Sequence, residues 1–246
     1  MNLYIVTEGE CSEPIVYPKW ISLLAPHMSQ VKNIADIREN NYYLFASKGI
    51  PSIFHHIVNA LKDINNFNEN NKSKIDYLIV FIDTEEEDRD YIVSKIDEAV
   101  SNEPELYFSC KLKVFEQKVS IETWFLGNEK MLNETTDSSP LRDYIIHYNV
   151  RRQDPELMEN YDPEKFSTKA QFHHYYVKKM FQDRGLVYRK NNPGNVCENH
   201  YLNALIDRYN STGHIASFGR MLDFLSKLSA QIISPATTCS KRPSAN

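Results

Sequence analysis

The chain has only four cysteines, Cys11, Cys110, Cys197 and Cys239, far apart and with no CxxC spacing. That spacing argues against a disulfide framework or a paired-cysteine zinc site, and a reducing cytoplasm is the expected setting. Long hydrophobic runs are also missing. No apolar stretch approaches the roughly 20 residues that span a bilayer, so no membrane partner is expected. The first residues, Met1 to Glu8, carry no basic segment and meet an acid at once, unlike a secretory leader. No GxxxxGK[ST] phosphate loop occurs, so any ATP chemistry must come from another chain. There is no internal repeat.

What is present suits one large domain, or one domain with an appendage: 246 residues, 41% apolar and 25% charged. The net charge of −5 is unevenly spread. Residues 1–150 hold 14 Lys and Arg against 24 Asp and Glu, whereas residues 151–246 hold 14 against 9. An acidic half beside a basic half fits a metal site next to a polyanion-binding surface, although ordinary surface composition accounts for the basic excess equally well.

The stretch from Leu78 to Asp90 organises the rest. Five apolar residues, Leu78-Ile79-Val80-Phe81-Ile82, run straight into six acids within Asp83–Asp90. A short continuous apolar run ending in a polar turn predicts a strand buried on both faces. Asp83 then stands at its carboxyl end, the edge where open α/β sheets gather ligands. Asp83 and Glu85 lie two apart, so an extended segment would point both the same way. Paired carboxylates there can hold a hard cation such as Mg²⁺. The competing reading is a solvated acidic turn that caps the next helix.

Patterning along the rest of the chain predicts a strand over residues 2–7, ended by Glu8-Gly9, and a helix over 15–24 that Ser12 can cap, with Pro14 in its first turn. Residues 26–41 read as irregular. A strand over 42–46 and a helix from Gly49 to about Ile64 come next. His55 and His56 are adjacent on that helix and do not share a face, which argues against a two-histidine metal site. Residues 65–74 read as a solvated loop. After the organising strand come a helix over 88–100, a strand over 106–115, a polar turn over 116–122 and a short helical segment over 123–126. The sum is βαβαβαβ, a mostly parallel sheet with helices on both faces. Acids recur at three strand ends: Glu8, Asp83 with Glu85, and Glu122. Past residue 128 the chain turns loop-like (131–143), then aromatic and irregular. Thr168 caps a helix to about Asp183, residues 187–194 form a basic turn, helices lie near 198–210 and 214–230, and residues 233–246 are expected to be disordered.

The strand–Glu8-Gly9 and strand–Asp83-Thr84-Glu85 motifs, in that frame, resemble the Toprim domain shared by topoisomerases, bacterial primases and OLD-type nucleases. The family carries Glu-Gly after its first strand and Asp-x-Asp after its third. Glu85 replaces the second Asp here, keeping the charge and lengthening the arm. The acids of OLD-type nucleases have counterparts in Glu13 and in Ser120-Ile121-Glu122, and their later lysine in Lys190. The likeness covers about residues 1–127, followed by a mainly helical region over 128–232. The segment around Glu122-Thr123-Trp124 is also similar to small Toprim-like proteins of bacterial anti-phage defence that pair with ATPases. The resemblance implies Mg²⁺ or Mn²⁺ as cofactor, one ion on Glu8, Asp83 and Glu85 and a second on Glu8, Glu13 and Glu122, with Lys190 stabilising charge in the transition state. It implies a nuclease acting on DNA or RNA, with an ATPase partner; a homo-oligomer stays open. The alternatives are a non-catalytic interaction subunit of an ATPase complex, and a phosphatase or phosphotransferase.

Overall fold

The alternation within the apolar run decides the architecture. In the structure, a computed structural model that describes residues 1–233, the run lies in strand β4, Tyr77–Asp83. Leu78, Val80 and Ile82 face one hydrophobic layer, and Ile79 and Phe81 face the other. Both faces are therefore buried, as a continuous apolar strand requires. The molecule is α/β. Four further strands, β1 (Leu3–Thr7), β2 (Ser29–Val31), β3 (Asn41–Ala46) and β5 (Lys111–Gln117), complete an all-parallel sheet in the order β2-β3-β1-β4-β5.

Helices α2 (Ser52–Asn70) and α3 (Arg89–Ser101) pack on one face, with Ile57, Leu61, Ile64, Ile92 and Ile96 buried there. The other face carries α1 (Glu13–Leu24) and the later helices α4 (Ile121–Phe125), α5 (Leu141–His147), α6 (Lys169–Asp183), α7 (Asn199–Thr212) and α8 (Ala216–Ile233). Residues on both sides of position 127 enter this second core: Trp20 stacks with Trp124 and meets Phe218 edge-on. The helix after β1 thus lies on one face and the helix after β4 on the other. Where neighbouring strands send their connections to opposite faces, the sheet opens a crevice at its carboxyl edge. Glu8 and Asp83 flank that crevice.

Several boundaries differ from the pattern-based expectation. Helix α2 continues to Asn70 because Asn65 and Asn68 find partners off the helix: Asn65 Nδ2 donates to the Tyr107 carbonyl, and the Asn68 side chain bonds both backbone polar groups of Ile75. Strand β5 begins at Lys111, five residues later than expected. Strand β2 departs from the irregular stretch expected there; it is three residues at the sheet edge, two exposed and one half-buried, too few for a pattern. Helix α5 begins inside the segment read as loop. Ser12 occupies the α1 N-cap position, but its hydroxyl makes no capping bond. Thr168 does cap α6, accepting from Gln171 N at 3.1 Å. Among the described residues no helix is long and apolar enough to cross a membrane. Cys11, Cys110 and Cys197 are free thiols; Cys239 and the tail expected to be disordered lie outside the described residues.

Candidate functional site

The carboxyl ends of β1 and β4, with the loop before α1, enclose a cavity of about 290 Å³. Glu8, Glu10, Glu13, Asp83 and Glu85 line it, with Lys48 and Lys190 as the cations. The strand pairing dictates the convergence. Thr7 is level with Phe81, and Asp83 with Gln117, so the residues that follow emerge side by side.

Glu8 and Asp83 are tied directly: Glu8 Oε2 accepts from the Asp83 backbone N–H at 2.8 Å. Burial pushes the Glu8 carboxyl up to about 7, with the Asp83 N–H and Lys190 opposing and Glu85 adding. Asp83 Oδ1 is buried with no hydrogen-bond partner. Burial holds that carboxyl well above the usual range, and the neighbouring Glu13, Glu8 and Glu122 raise it further.

Both Glu13 oxygens are engaged within the protein. One oxygen accepts from Gly9 N, in a very short contact, and the other accepts from Gln117 Nε2 at 2.9 Å. Gln117 Nε2 also donates to Tyr17 Oη at 2.6 Å. Glu13 therefore clamps the loop after β1, instead of presenting a free oxygen as a second-ion ligand. The clamp explains the glycine that follows Glu8, since a Cβ on Gly9 would fall on the Glu13 carboxylate. Burial pushes the Glu13 carboxyl up to about 8.

The extended alternation that would align Asp83 with Glu85 stops at Thr84. Glu85 has φ +49° and is exposed at the cavity rim, its N–H bonded to the Val119 carbonyl. Thr84 Oγ1 accepts from Val119 N at 3.0 Å. Val119 itself is held at φ +68°, a conformation β-branched residues rarely adopt, so two backbone outliers meet beside the acids. Of the other acids, Asp88 behaves as a helix cap, accepting from Tyr91 N at 2.8 Å, and Glu86 binds Lys169.

Glu122 lies fully buried in the first turn of α4. Its Oε1 accepts from Tyr188 Oη at 3.0 Å, meets His174 Nδ1 at 3.2 Å and pairs with Lys190 Nζ at 3.5 Å. Its Oε2 is buried and unpartnered. Burial opposes its charge, but His174, Lys190 and Tyr188 outweigh burial and hold the carboxyl down at about 2.

Lys190 reaches the acids because Tyr188 anchors its loop. The Tyr188 ring is buried among Phe125, His174 and Phe181, and an Arg189–Asn192 bridge tightens the turn. Burial works against the Lys190 ammonium, and Glu122, Asp83 and Glu13 more than compensate, raising it. Glu8, Glu13, Asp83, Glu122 and Lys190 are thus brought together, with Glu85 at the rim.

Sequence reasoning did not find Gln117, Tyr17, His174 or Tyr188. Gln117 carried one signal, its place in the polar turn expected after the fourth strand; its register with Asp83 comes from the fold. His174 carried none apart from its place in a helix whose aromatics are spaced like core, and Tyr188 none apart from its place in the basic turn.

No protein-family model, no curated protein and no solved structure matches this chain. The site is therefore judged on its own chemistry. Two buried carboxylate oxygens without donors, on Asp83 and Glu122, are what a hard cation takes. As the side chains stand, among the described residues no three His, Cys, Asp or Glu form a ready-made metal site. The donor set fits Mg²⁺ or Mn²⁺ in kind.

Proposed function

We propose that this chain is a divalent-cation-dependent phosphodiester hydrolase of Toprim type, a cytoplasmic nuclease acting on DNA or RNA. The observation that carries this reading is the pair of orphaned buried oxygens, Asp83 Oδ1 and Glu122 Oε2, at one carboxyl edge beside Glu8 and Lys190. Keeping such groups buried and bare is costly unless a ligand uses them. Glu8, Asp83 and Glu122 would hold the ion, with Glu85 approaching from the rim. A bound Mg²⁺ or Mn²⁺ supplies an activated water and neutralises the leaving oxygen. Lys190 places a positive charge where a phosphate oxygen would sit. His174 and Tyr188 keep Glu122 ionised and fixed. Glu13 and Gln117 set the backbone that carries Glu8.

A second reading, a non-catalytic subunit that docks on a partner ATPase in anti-phage defence, draws support from Glu13, both of whose oxygens are already hydrogen-bonded within the protein. One assay separates the two. The purified chain is incubated with single- and double-stranded DNA and with RNA, in Mg²⁺, Mn²⁺ or EDTA, beside Asp83→Ala. The hydrolase reading expects ion-dependent cleavage that falls more than about a hundredfold in the variant, beyond the usual cost of losing a supporting partner. No ion-dependent cleavage of any of these substrates, with a stable complex formed on a co-expressed ATPase, favours the docking subunit.

A further inference from the structure

The edge strand β5 and helix α8 enclose a cleft of about 380 Å³ far from the acids. Lys113 and Lys227 line it against a single acid, Asp223, together with Arg220, whose charge is already paired with Glu116, and its walls include the rings of Tyr77 and Phe224. The two rings meet edge-on, 5.3 Å between centroids, and Lys111 Nζ lies 5.7 Å from the Tyr77 centroid. Among the described residues neither Lys113 nor Lys227 makes an ion pair. A roomier cleft of about 580 Å³, between the end of α2 and the start of β5, sets Lys74 and Lys111 against Glu69 and Asp76, so its charge favours no polyanion. The β5–α8 cleft does favour one. Cations spaced along a groove with aromatic walls are how proteins hold a single nucleic-acid strand: ammonium groups track phosphates and rings take the bases.

The cleft is also placed to serve the cavity. Tyr77 opens β4 and Asp83 closes it, and the two side chains point to the same face. Six strand steps separate them, about 20 Å, or about six nucleotides at the 3.4 Å spacing of one duplex strand. Along the β5 edge between them, Glu116 is neutralised by Arg220 and Arg89, and Lys118 is exposed where the strand ends.

We infer that the β5–α8 cleft is a binding groove for a single-stranded nucleic-acid segment, which it leads toward the acidic cavity. The leading role rests on the hydrolase reading; binding in the groove does not.

The test measures binding of a labelled single-stranded 20-mer by anisotropy, in EDTA, across a salt series. The wild-type chain is compared with K113A/K227A, with K113R/K227R, and with K32A/K72A, which removes two exposed lysines elsewhere. The expected result is that K113A/K227A weakens binding roughly tenfold and flattens the log–log salt slope by about 1.4, at 0.7 per lost phosphate contact. K113R/K227R and K32A/K72A should bind like wild type. The inference is overturned if wild type does not bind, if K113A/K227A binds as wild type does, or if K32A/K72A weakens equally. Cleavage measured in parallel with Mg²⁺ keeps the two ideas apart. Groove-dependent binding without cleavage sinks the hydrolase reading alone, and cleavage with groove-independent binding sinks the groove alone.

Discussion

Glu8 Oε2 accepts a 2.8 Å hydrogen bond from the backbone N–H of Asp83, so the side chain ending one strand is anchored on the main chain ending its neighbour. The bond fixes the spacing of the two acids and turns Glu8 toward the crevice. It leaves the Asp83 carboxylate without any donor on Oδ1. Burial and the neighbouring acids make an ionised Asp83 costly, a tension that a cation would release.

Asp83→Asn removes that tension at nearly constant shape. In EDTA at pH 8 the variant should be more stable than wild type by ~1 kcal/mol, a rise in Tm of about 2–4 °C for a chain of this size. Any stabilisation by Mg²⁺ should disappear with the carboxylate. Calorimetry with and without Mg²⁺ measures both effects. A lower Tm in EDTA would mean that Asp83 makes a structural contact the fold needs.

The clamp role of Glu13 predicts a split between two substitutions. In Glu13→Gln the new amide's oxygen can still accept from Gly9 N. A flip of the Gln117 amide then lets Gln117 Oε1, now unpartnered, accept from both the new amide's N–H and Tyr17. The flipped Nε2 then takes the unpartnered place of Oε1, so stability should fall by about 1 kcal/mol. Glu13→Ala strands the Gly9 N–H and the Gln117 amide in a buried site and should cost about 2–4 kcal/mol. Urea denaturation checks the pair. If Glu13→Gln abolishes ion-dependent cleavage while folding normally, Glu13 is a ligand after all.

Much of this architecture was legible because it depends on local pattern. The apolar run at Leu78–Ile82, the acids Glu8 and Asp83 at two strand ends and the turn at Lys190 all follow from short-range order and chain topology, whereas Glu122, expected at a third strand end, lies in the first turn of α4. What escaped notice depends on partners far away in sequence. Asn68 extends α2 through bonds to Ile75 and Ser109. Glu13 looks like a ligand until Gln117, 104 positions later, meets its carboxylate. His174 sits in a helix whose aromatic spacing speaks of core and Tyr188 in a segment read as a basic turn, and only the fold brings them to Glu122. Glu85 shows the opposite failure, where a local rule about extended chain broke at a left-handed residue.

Three donors converge on one oxygen of Glu122, so their losses should not add. Tyr188→Phe removes a hydrogen bond to a buried carboxylate and should cost about 1.5–3 kcal/mol. His174→Ala acts on the same Oε1 and should cost less, because His174 is partly exposed. A double-mutant cycle should return a coupling of roughly 0.5–3 kcal/mol. In either single variant the Glu122 carboxyl should titrate above its present value of about 2, read by carbon NMR on labelled protein. Strict additivity and an unmoved titration would break the network apart.

The site also predicts how stability depends on pH. Glu8 titrates near 7 and Glu13 near 8 in the folded chain, both above the ordinary 4.5, and Asp83 is raised as well. As pH rises from 4.5 toward 8, the unfolded chain gives up these protons while the native state keeps them, so stability falls. Two groups act the other way on the acid side. His173, held down at about 4 by burial, is neutral when folded and charged when unfolded, so its stabilisation is complete above 6.5 and is lost as pH drops toward 4. Glu122, held at about 2, loses its stabilisation below 4.5. Three raised carboxyls outweigh the single histidine above pH 4.5, so the metal-free chain should be most stable near pH 4–4.5 and lose on the order of several kcal/mol by pH 8, about 10 °C or more in Tm. Saturating Mg²⁺ should recover that loss at pH 8 and do little at pH 5, because only ionised carboxylates bind it. Melting curves from pH 4 to 9 with and without Mg²⁺ trace both lines. Parallel curves with no Mg²⁺ dependence at pH 8 would show that these acids are buried for some purpose other than holding a cation.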